Sequence, residues 1–296
     1  MSHHLVDHMH IKKDIDLAAR SQVEELRLTY GQELSAYAFL SLYLWQKPMG
    51  LSLYMDEDMY TARISKFGSN TWFFPCGSAD AVLRFLREQQ ETVDFALCYL
   101  RERDVCFLQE HFSDMYRFVH DSDSSEYIYD CEGHRTLCGK PYANVRTQLH
   151  KIEREHELVV ETITDQNISA CISVIQKWES LRETEWSEET VQVDLMALKE
   201  YASLGMDGIL VWADEQPAGV AVGYPLTTDT YDLFLAKADH SIPGLGYYVQ
   251  RAFFLSRPEG VRWINMEEDL GIGGLRNMKK RLAPVRMNEL WSAYRK

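Results

Sequence analysis

The chain has 296 residues, of which 46% are hydrophobic and 12% aromatic, and its formal net charge is −14 at pH 7. This length corresponds to about two average domains, and the apolar content is sufficient for a large core, which excludes a disordered protein. The acidic excess disfavours a general nucleic-acid-binding protein, because phosphate binding requires a positive field. DNA is therefore not expected as a partner.

Neither a membrane span nor a secretion signal is visible in the sequence. The most apolar stretch, residues 35–46, has twelve residues and includes polar side chains, whereas a transmembrane helix needs about 20 apolar residues. The first residues lack the apolar segment of a signal peptide. The six cysteines form no Cys-x-x-Cys pair, so we expect reduced thiols, a cytoplasmic location and no bound metal.

The first part of the chain alternates helix and strand patterns. The predicted helices are residues 23–30, 36–45, a segment that Ser78 opens as N-cap, and 102–110. The predicted strands are residues 51–55, 60–64, 71–74, 95–100 and 115–119. Residues 120–126 read HDSDSSE and have no hydrophobic anchor. We therefore predict an N-terminal domain over residues 1–122 and a C-terminal domain over residues 123–296.

The second domain repeats the alternation. The predicted helices are one that begins near Pro141, one after Asp165, and residues 188–204, 247–256 and 273–282. The predicted strands are residues 126–130, 158–163, 208–213, 218–224, 230–236, 261–266 and 285–294. Three of these strands, in residues 208–236, are separated by short polar turns and indicate an antiparallel meander. The pattern predicts an α+β fold with mixed, mostly antiparallel sheets flanked by helices.

A short glycine-containing loop, residues 241–246, follows this meander and opens the next helix. The N–H groups at a helix start lack partners and attract anions, and Gly244 and Gly246 would let a phosphate approach the backbone. A plain turn into a core helix fits the same residues. The context resembles the Gcn5-related N-acetyltransferase fold, whose Arg/Gln-x-x-Gly-x-Gly/Ala motif binds coenzyme A, although Ser241 replaces the basic or amide residue. This resemblance implies an acyl-CoA cofactor bound at Ser241, Gly244, Leu245 and Gly246.

Residues 264–276, INMEEDLGIGGLR, carry the more specific pattern. This stretch is similar to the signature N-x-E-E-D-L-G-I-x-G-L-R-x-x-K of the bacterial family that shares the C-terminal domain of phosphatidylglycerol lysyltransferase. Met266 departs from it, because a basic residue is common there. Residues 35–45 and 139–152 also resemble the family, so the similarity covers most of the chain. It implies two tandem acyltransferase-like domains, the first degenerate, similar to the Fem-type peptidyltransferases.

Acyl transfer needs a group that accepts the proton of the attacking amine and a group that steadies the leaving group. Glu267, Glu268 and Asp269 are candidate bases, because three adjacent carboxylates repel one another and so raise the pKa of at least one of them. Tyr247 is a candidate proton donor, and Arg276 and Lys279 are candidate phosphate contacts. Each has a structural alternative: the acids could cap the next helix, Tyr247 could pack on the sheet, and the two cations could pair with the acids.

The sequence thus predicts transfer of an acyl or aminoacyl group from a small thioester or ester donor to an amine or hydroxyl acceptor. An aminoacyl-tRNA-dependent transferase is an alternative, which the acidic composition disfavours. A ligand-binding protein that has kept the fold without catalysis is a second alternative. No nucleophile elbow, P-loop or zinc-protease motif occurs in the sequence.

Overall fold

A computed structural model describes residues 11–66, 70–89, 92–181 and 188–296. The chain forms two compact units, one of Met1–Asp121 with Leu290–Lys296 and one of Ser122–Glu289. The boundary lies one residue before the predicted end of the first domain at 122. The C-terminus differs from the prediction, because its last seven residues were assigned to the second domain but belong to the first unit.

The predicted helices are present with small shifts at their ends, and the short helix Cys131–Thr136 was not predicted. They are α1 (Arg20–Thr29), α2 (Phe39–Met49), α3 (Ala79–Glu88), α4 (Glu102–Phe112), α5 (Cys131–Thr136), α6 (Ala143–Glu155), α7 (Ile168–Leu181), α8 (Glu188–Lys199), α9 (Tyr201–Leu204), α10 (Leu245–Leu255) and α11 (Gly273–Arg281). Ser78 caps α3, because its side chain accepts the Ala81 N–H. The predicted helix over residues 188–204 is divided at Glu200 into α8 and α9.

Strands make up two separate sheets. They are β1 (Ile11–Lys13), β2 (Leu51–Met55), β3 (Met59–Ile64), β4 (Asn70–Phe73), β5 (Cys76–Gly77), β6 (Phe95–Leu100), β7 (Tyr116–His120), β8 (Glu126–Asp130), β9 (Leu158–Thr162), β10 (Asp207–Ala213), β11 (Gln216–Pro225), β12 (Thr230–Ala238), β13 (Trp263–Asn265), β14 (Arg286–Asn288) and β15 (Trp291–Arg295).

The two sheets share one pattern of pairing. The first runs β1-β2-β3-β4-β6-β15-β7, with β5 also paired to β3, and the second runs β9-β10-β11-β12-β13-β8-β14. In each, four antiparallel strands are followed by one parallel pair, β4 with β6 and β12 with β13. Antiparallel strands then complete each sheet. The repeated order explains why the sequence shows the same alternation twice.

The prediction of one last strand over residues 285–294 is wrong, because this segment forms two strands. Its first part, β14, pairs with β8 in the second sheet, and its second part, β15, pairs with β6 and β7 in the first. Leu290, between the two parts, is buried in the core of the first unit. An alternating pattern predicts a strand but does not select its partner, so the sequence could not show this division.

The second unit has helices on both faces of its sheet. Ala236 and Ala238 of β12 pack into the core that contains α5, α6 and α10. Lys237, between them, instead reaches Trp178 of α7 and Asp194 of α8. Because neighbouring side chains of a strand point to opposite faces, α7 and α8 lie across the sheet from α10.

Candidate functional site

The second sheet opens where its parallel strands separate. β12 and β13 pair from Thr230 with Trp263 to Asp232 with Asn265. β13 ends there, while β12 continues for six further residues to Ala238. The edge of β12 beyond Asp232 therefore has no partner in β13, and a wedge-shaped gap results.

A β-bulge in β12 lies at the closed end of this gap. Between the pairs Val222 with Leu235 and Tyr224 with Asp232, the chain advances two residues on β11 and three on β12. The extra residue of β12 lies opposite Gly223. Glycine is required at this position, because an added Cβ would lie 2.0 Å from the Asp232 carbonyl oxygen. Bulges often redirect side chains beside active sites, and this one comes directly after Asp232.

The predicted glycine loop forms the open end of the gap. Gly244 is the N-cap of α10 and has a φ of +91°, a conformation that favours glycine. Leu245 is fully buried, and its N–H donates to the Ile242 carbonyl. An added Cβ on Gly246 would meet no atom within 4 Å, and the Gly246 N–H has no acceptor in the described part of the chain. The loop thus leaves one helix-start amide accessible without steric obstruction.

Ser241 is exposed but hydrogen-bonds to the loop that it belongs to. Its N–H and hydroxyl both donate to Asp239 Oδ1, at 2.9 and 2.7 Å. Asp239 is buried, and its other oxygen forms a 2.5 Å ion pair with Lys177 of α7. Ser241 therefore fixes the loop through Asp239.

A cavity of about 260 Å³ occupies the gap beside the loop. It is lined from both layers, which is possible because β13 does not cover this edge of β12. Its lining residues are Trp178, Ala236, Lys237, Ala238, Asp239, His240, Ile242, Pro243, Gly244, Gly246, Tyr247, Val249, Gln250 and Met278. The predicted residues Gly244, Gly246 and Tyr247 are thus brought together at one concave site.

The predicted acidic segment lies at the closed end. Glu267 has a φ of +57°, which is uncommon for a residue with a side chain. Its N–H donates to Asn265 Oδ1 at 2.8 Å, and its carbonyl oxygen accepts the Tyr127 N–H. The Asn265 amide also donates to Glu126 Oε2 at 2.8 Å. A buried asparagine therefore connects the unusual backbone at Glu267 to a second buried carboxylate.

Several carboxyl groups interact in this region. Burial and the Glu126 carboxylate raise the pKa of Asp232 well above its usual range. Burial and the Asp232 carboxylate likewise raise the pKa of Glu267. Lys279 supplies the nearby positive charge, and its Nζ donates to the Met266 and Glu268 carbonyl oxygens. Burial lowers the pKa of Lys279, opposed by Glu268 and Glu267. Interacting groups with shifted pKa values of this kind are candidates for holding or releasing a proton during a reaction.

Arg276 has internal partners. Its guanidinium donates to both oxygens of the fully buried Asp269, at 2.9 and 2.8 Å, and to Asp123 at 2.6 Å. The structural alternative for this arginine, pairing with the acids, is thus present. Cofactor contact by Arg276 or Lys279 remains a prediction, as does catalysis by Glu267, Glu268 and Tyr247.

Asp232 and Gln250 were not predicted from the sequence, and Asn265 was recognised only as a position of the family signature. Asp232 and Asn265 are polar residues within apolar strands, and Gln250 lies on the cavity side of α10. Gln250 could have been identified from the sequence by its spacing, because a residue four positions after Gly246 lies on the same face of a helix. Asp232 and Asn265 become neighbours only through the parallel pairing of their strands.

No helix of the described segments has both the length and the hydropathy to cross a membrane. The same segments contain no group of three or more histidine, cysteine or acidic side chains arranged to hold a metal.

Sequence comparison gives one family match. Residues 27–294 match the family described as "Phosphatidylglycerol lysyltransferase, C-terminal". A search of curated protein sequences gave no significant match.

Solved structures share the fold over nearly the whole chain. A conserved protein of unknown function from Bacteroides thetaiotaomicron is 22% identical, with 97% of this chain and 100% of that chain covered and a TM-score of 0.89. L-PGS from Bacillus licheniformis is 16% identical, with 97% and 94% covered and a TM-score of 0.68. FemX is 8% identical, with 97% of both chains covered and a TM-score of 0.62. The α+β fold is that of two tandem acyltransferase-like domains.

Proposed function

Because the chain belongs to the phosphatidylglycerol lysyltransferase C-terminal family, we propose that it transfers an acyl or aminoacyl group to an amine or hydroxyl acceptor. The observation that carries this proposal is the gap between β12 and β13. It has an open cavity at the glycine loop and interacting carboxyl groups at its closed end. A donor and a proton acceptor thus have separate places along one strand.

These places are a suitable distance apart for an elongated donor. Asp232 and Ala236 are four residues apart on β12, which corresponds to roughly 13 Å. α11 also links them, because Met278 lines the cavity and Lys279 contacts the acidic segment. A donor whose anionic end is at Gly246 would extend along β12 toward Asp232 and Glu267.

The residues of the loop fit a phosphate-bearing donor such as acyl-CoA. The Gly246 N–H is accessible, no side chain obstructs it, and the N-terminus of α10 favours negative charge. The Gly246 N–H would hold the phosphate, because the Leu245 N–H already donates to the Ile242 carbonyl oxygen. The bound coenzyme would supply an activated acyl thioester.

The chain's own residues would manage the protons. As the acceptor nitrogen forms its bond to the acyl carbon, the Glu267 carboxylate accepts the proton of the amine. Burial and the Asp232 carboxylate raise the pKa of Glu267, so its deprotonated form is a stronger base than an ordinary glutamate. As the bond from the acyl carbon to the donor's sulfur or oxygen breaks, Tyr247 donates a proton to the leaving group. Glu268 is the other candidate base in the same segment.

A thermal-shift titration with coenzyme A and acetyl-CoA tests the donor. We expect saturable stabilisation of the wild-type protein that Gly246→Asp abolishes, because a carboxylate would then occupy the phosphate position. Gly273→Asp is the matched control: Gly273 also begins a helix, and an added Cβ there likewise meets no atom within 4 Å. Absence of stabilisation at millimolar coenzyme would contradict the acyl-CoA proposal and leave an aminoacyl ester as the donor to assay.

A further inference from the structure

Gln250 has an unusual environment in the cavity wall. The residue is 5% exposed, and its Oε1 has no hydrogen-bond partner in the part of the chain that the structure describes. Its Nε2 donates to the thioether sulfur of Met278 at 3.3 Å. A thioether is a weak acceptor. Nearly all buried polar groups in proteins have a partner, so an unpaired buried amide in a cavity requires an explanation.

The orientation of Gln250 points to a ligand as its missing partner. Gln250 lies four residues after Gly246 on α10, and side chains with this spacing share a helix face and lean toward the helix N-terminus. Both residues line the same cavity. Because nothing lies within 4 Å of an added Cβ at Gly246, packing does not require glycine there. Because Gly246 has no side chain, the space next to Gln250 stays open.

The charges of the cavity favour a neutral partner. Asp239 is paired with Lys177 and Asp194 with Lys237, so each of these carboxylates already has a cation. Among the cavity-lining residues that the structure describes, Asp239 is the carboxylate, and its pairing with Lys177 leaves an ammonium group without a spare negative charge there. The other nearby lining residues are apolar and include Ile242, Val249 and Met278. A neutral group that can satisfy both atoms of a glutamine amide in a fixed geometry is another amide, with one N–H and one C=O.

We propose that Gln250 is a specificity-determining residue that pairs with a neutral amide group of the donor bound in this cavity. Gln250 Oε1 accepts the N–H of that amide. This inference rests on the proposed function, because it assumes that the donor occupies the cavity. The inference adds a chemical requirement: the part of the donor that lies next to Gln250 must contain an amide.

Two small probes of matched shape test the pairing directly. N-methylacetamide has one N–H and one C=O, whereas methyl acetate has an oxygen in place of the N–H. The side-chain amide signals of Gln250 are followed by NMR in the ¹⁵N-labelled protein and assigned by their absence in Gln250→Leu. We expect N-methylacetamide to shift them progressively and methyl acetate to shift them much less. Equal responses to both probes, or no response to N-methylacetamide, would overturn the proposal.

The stability of the unliganded protein gives a second, independent test. Replacing an unpaired buried amide by an apolar side chain of similar size removes an unsatisfied acceptor, so Gln250→Leu should raise the melting temperature by a few degrees. Gln46→Leu is the matched control and should lower it, because the Gln46 amide on α2 donates to the Ile15 and Tyr43 carbonyl oxygens. A lower melting temperature for Gln250→Leu would also overturn the proposal.

These tests separate this inference from the proposed function. A response to N-methylacetamide together with no stabilisation by coenzyme A would retain the amide site and remove acyl-CoA as the donor. Stabilisation by coenzyme A with equal responses to the two probes would retain the donor and remove the role of Gln250.

Discussion

Arg276 binds Asp269 through two N–H groups, from Nε and from one terminal nitrogen, and the carboxylate between them is fully buried. Tyr127 Oη and the Gly271 N–H also donate to Asp269, at 2.6 and 2.9 Å. The segment that gave the strongest family resemblance is therefore held together by a carboxylate with four donors. Asp269 therefore organises this loop, whereas a catalytic role for Glu267 in the same segment is a proposal.

Asp269→Asn should strongly destabilise the protein. An asparagine side chain has one acceptor oxygen, so its NH₂ group would face donors from Arg276, Tyr127 or Gly271. Disrupting a buried charged pair of this kind costs about 3 kcal/mol, which corresponds to a melting temperature lower by roughly 6–12 °C in a protein of this size class. Thermal unfolding measures the effect. Asp165→Asn, at an exposed position, is the control, and an equal loss in both variants would contradict the role of Asp269.

Asp232→Asn should stabilise the folded protein at high pH, whereas Asp269→Asn should destabilise it. The folded protein raises the pKa of Asp232, through burial and the Glu126 carboxylate, and binds its proton more tightly than the unfolded chain does. Stability therefore falls as pH rises from the unfolded value of about 4 through the folded pKa. An amide at this position removes that loss.

Melting temperatures between pH 4 and 9 check the Asp232 prediction. The groups that face Asp232 are Glu126 on β8, Tyr224 on β11, Lys279 on α11, and the neighbouring Glu267 and Glu268, and all remain in the variant. We expect Asp232→Asn to be more stable than wild type by a few degrees at the alkaline end and nearly equal to it at the acidic end. A uniform loss of stability across this range would show that the carboxylate is structurally required.

Glu267→Gln should reduce the transfer rate without a comparable loss of stability. Removal of a general base reduces the rate by about 10²- to 10⁴-fold. Because burial and Asp232 raise the pKa of Glu267, the wild-type rate should fall as pH decreases and the carboxylate is protonated. Steady-state assays over pH test both effects. Glu259→Gln, in an exposed loop, is the control, and an unchanged rate in Glu267→Gln would transfer the role to Glu268.

The two glycines of the loop should respond differently to alanine. Gly244 has a φ of +91°, so Gly244→Ala introduces a strained backbone that costs about 1–2 kcal/mol. Gly246 is helical and its Cβ position is empty, so Gly246→Ala should stabilise the fold by about 0.4–1 kcal/mol. Denaturant unfolding measures both, and ligand titration should show weaker binding for Gly246→Ala. Equal destabilisation by the two substitutions would contradict this distinction.

The local elements were predictable where short-range patterns decide them. Alternation and polar turns predicted β10, β11 and β12, the helix cap at Ser78 was recognisable from residue type, and the glycine loop indicated the start of α10. The pattern around Glu267 and Arg276 was sufficient to indicate the family that the comparison confirmed. These features depend on residues near one another in sequence.

The tertiary structure decided which of these pieces meet. Residues 285–294 read as one strand, but their two halves pair in different sheets because partner choice depends on distant strands. Asp232 and Asn265 are 33 positions apart and become neighbours through the parallel pair β12 and β13. The unpaired amide of Gln250 is a property of the cavity around it. The sequence by itself determined the elements and the family, because propensity and motif are local, whereas burial and the identity of each polar partner depend on the assembled sheet.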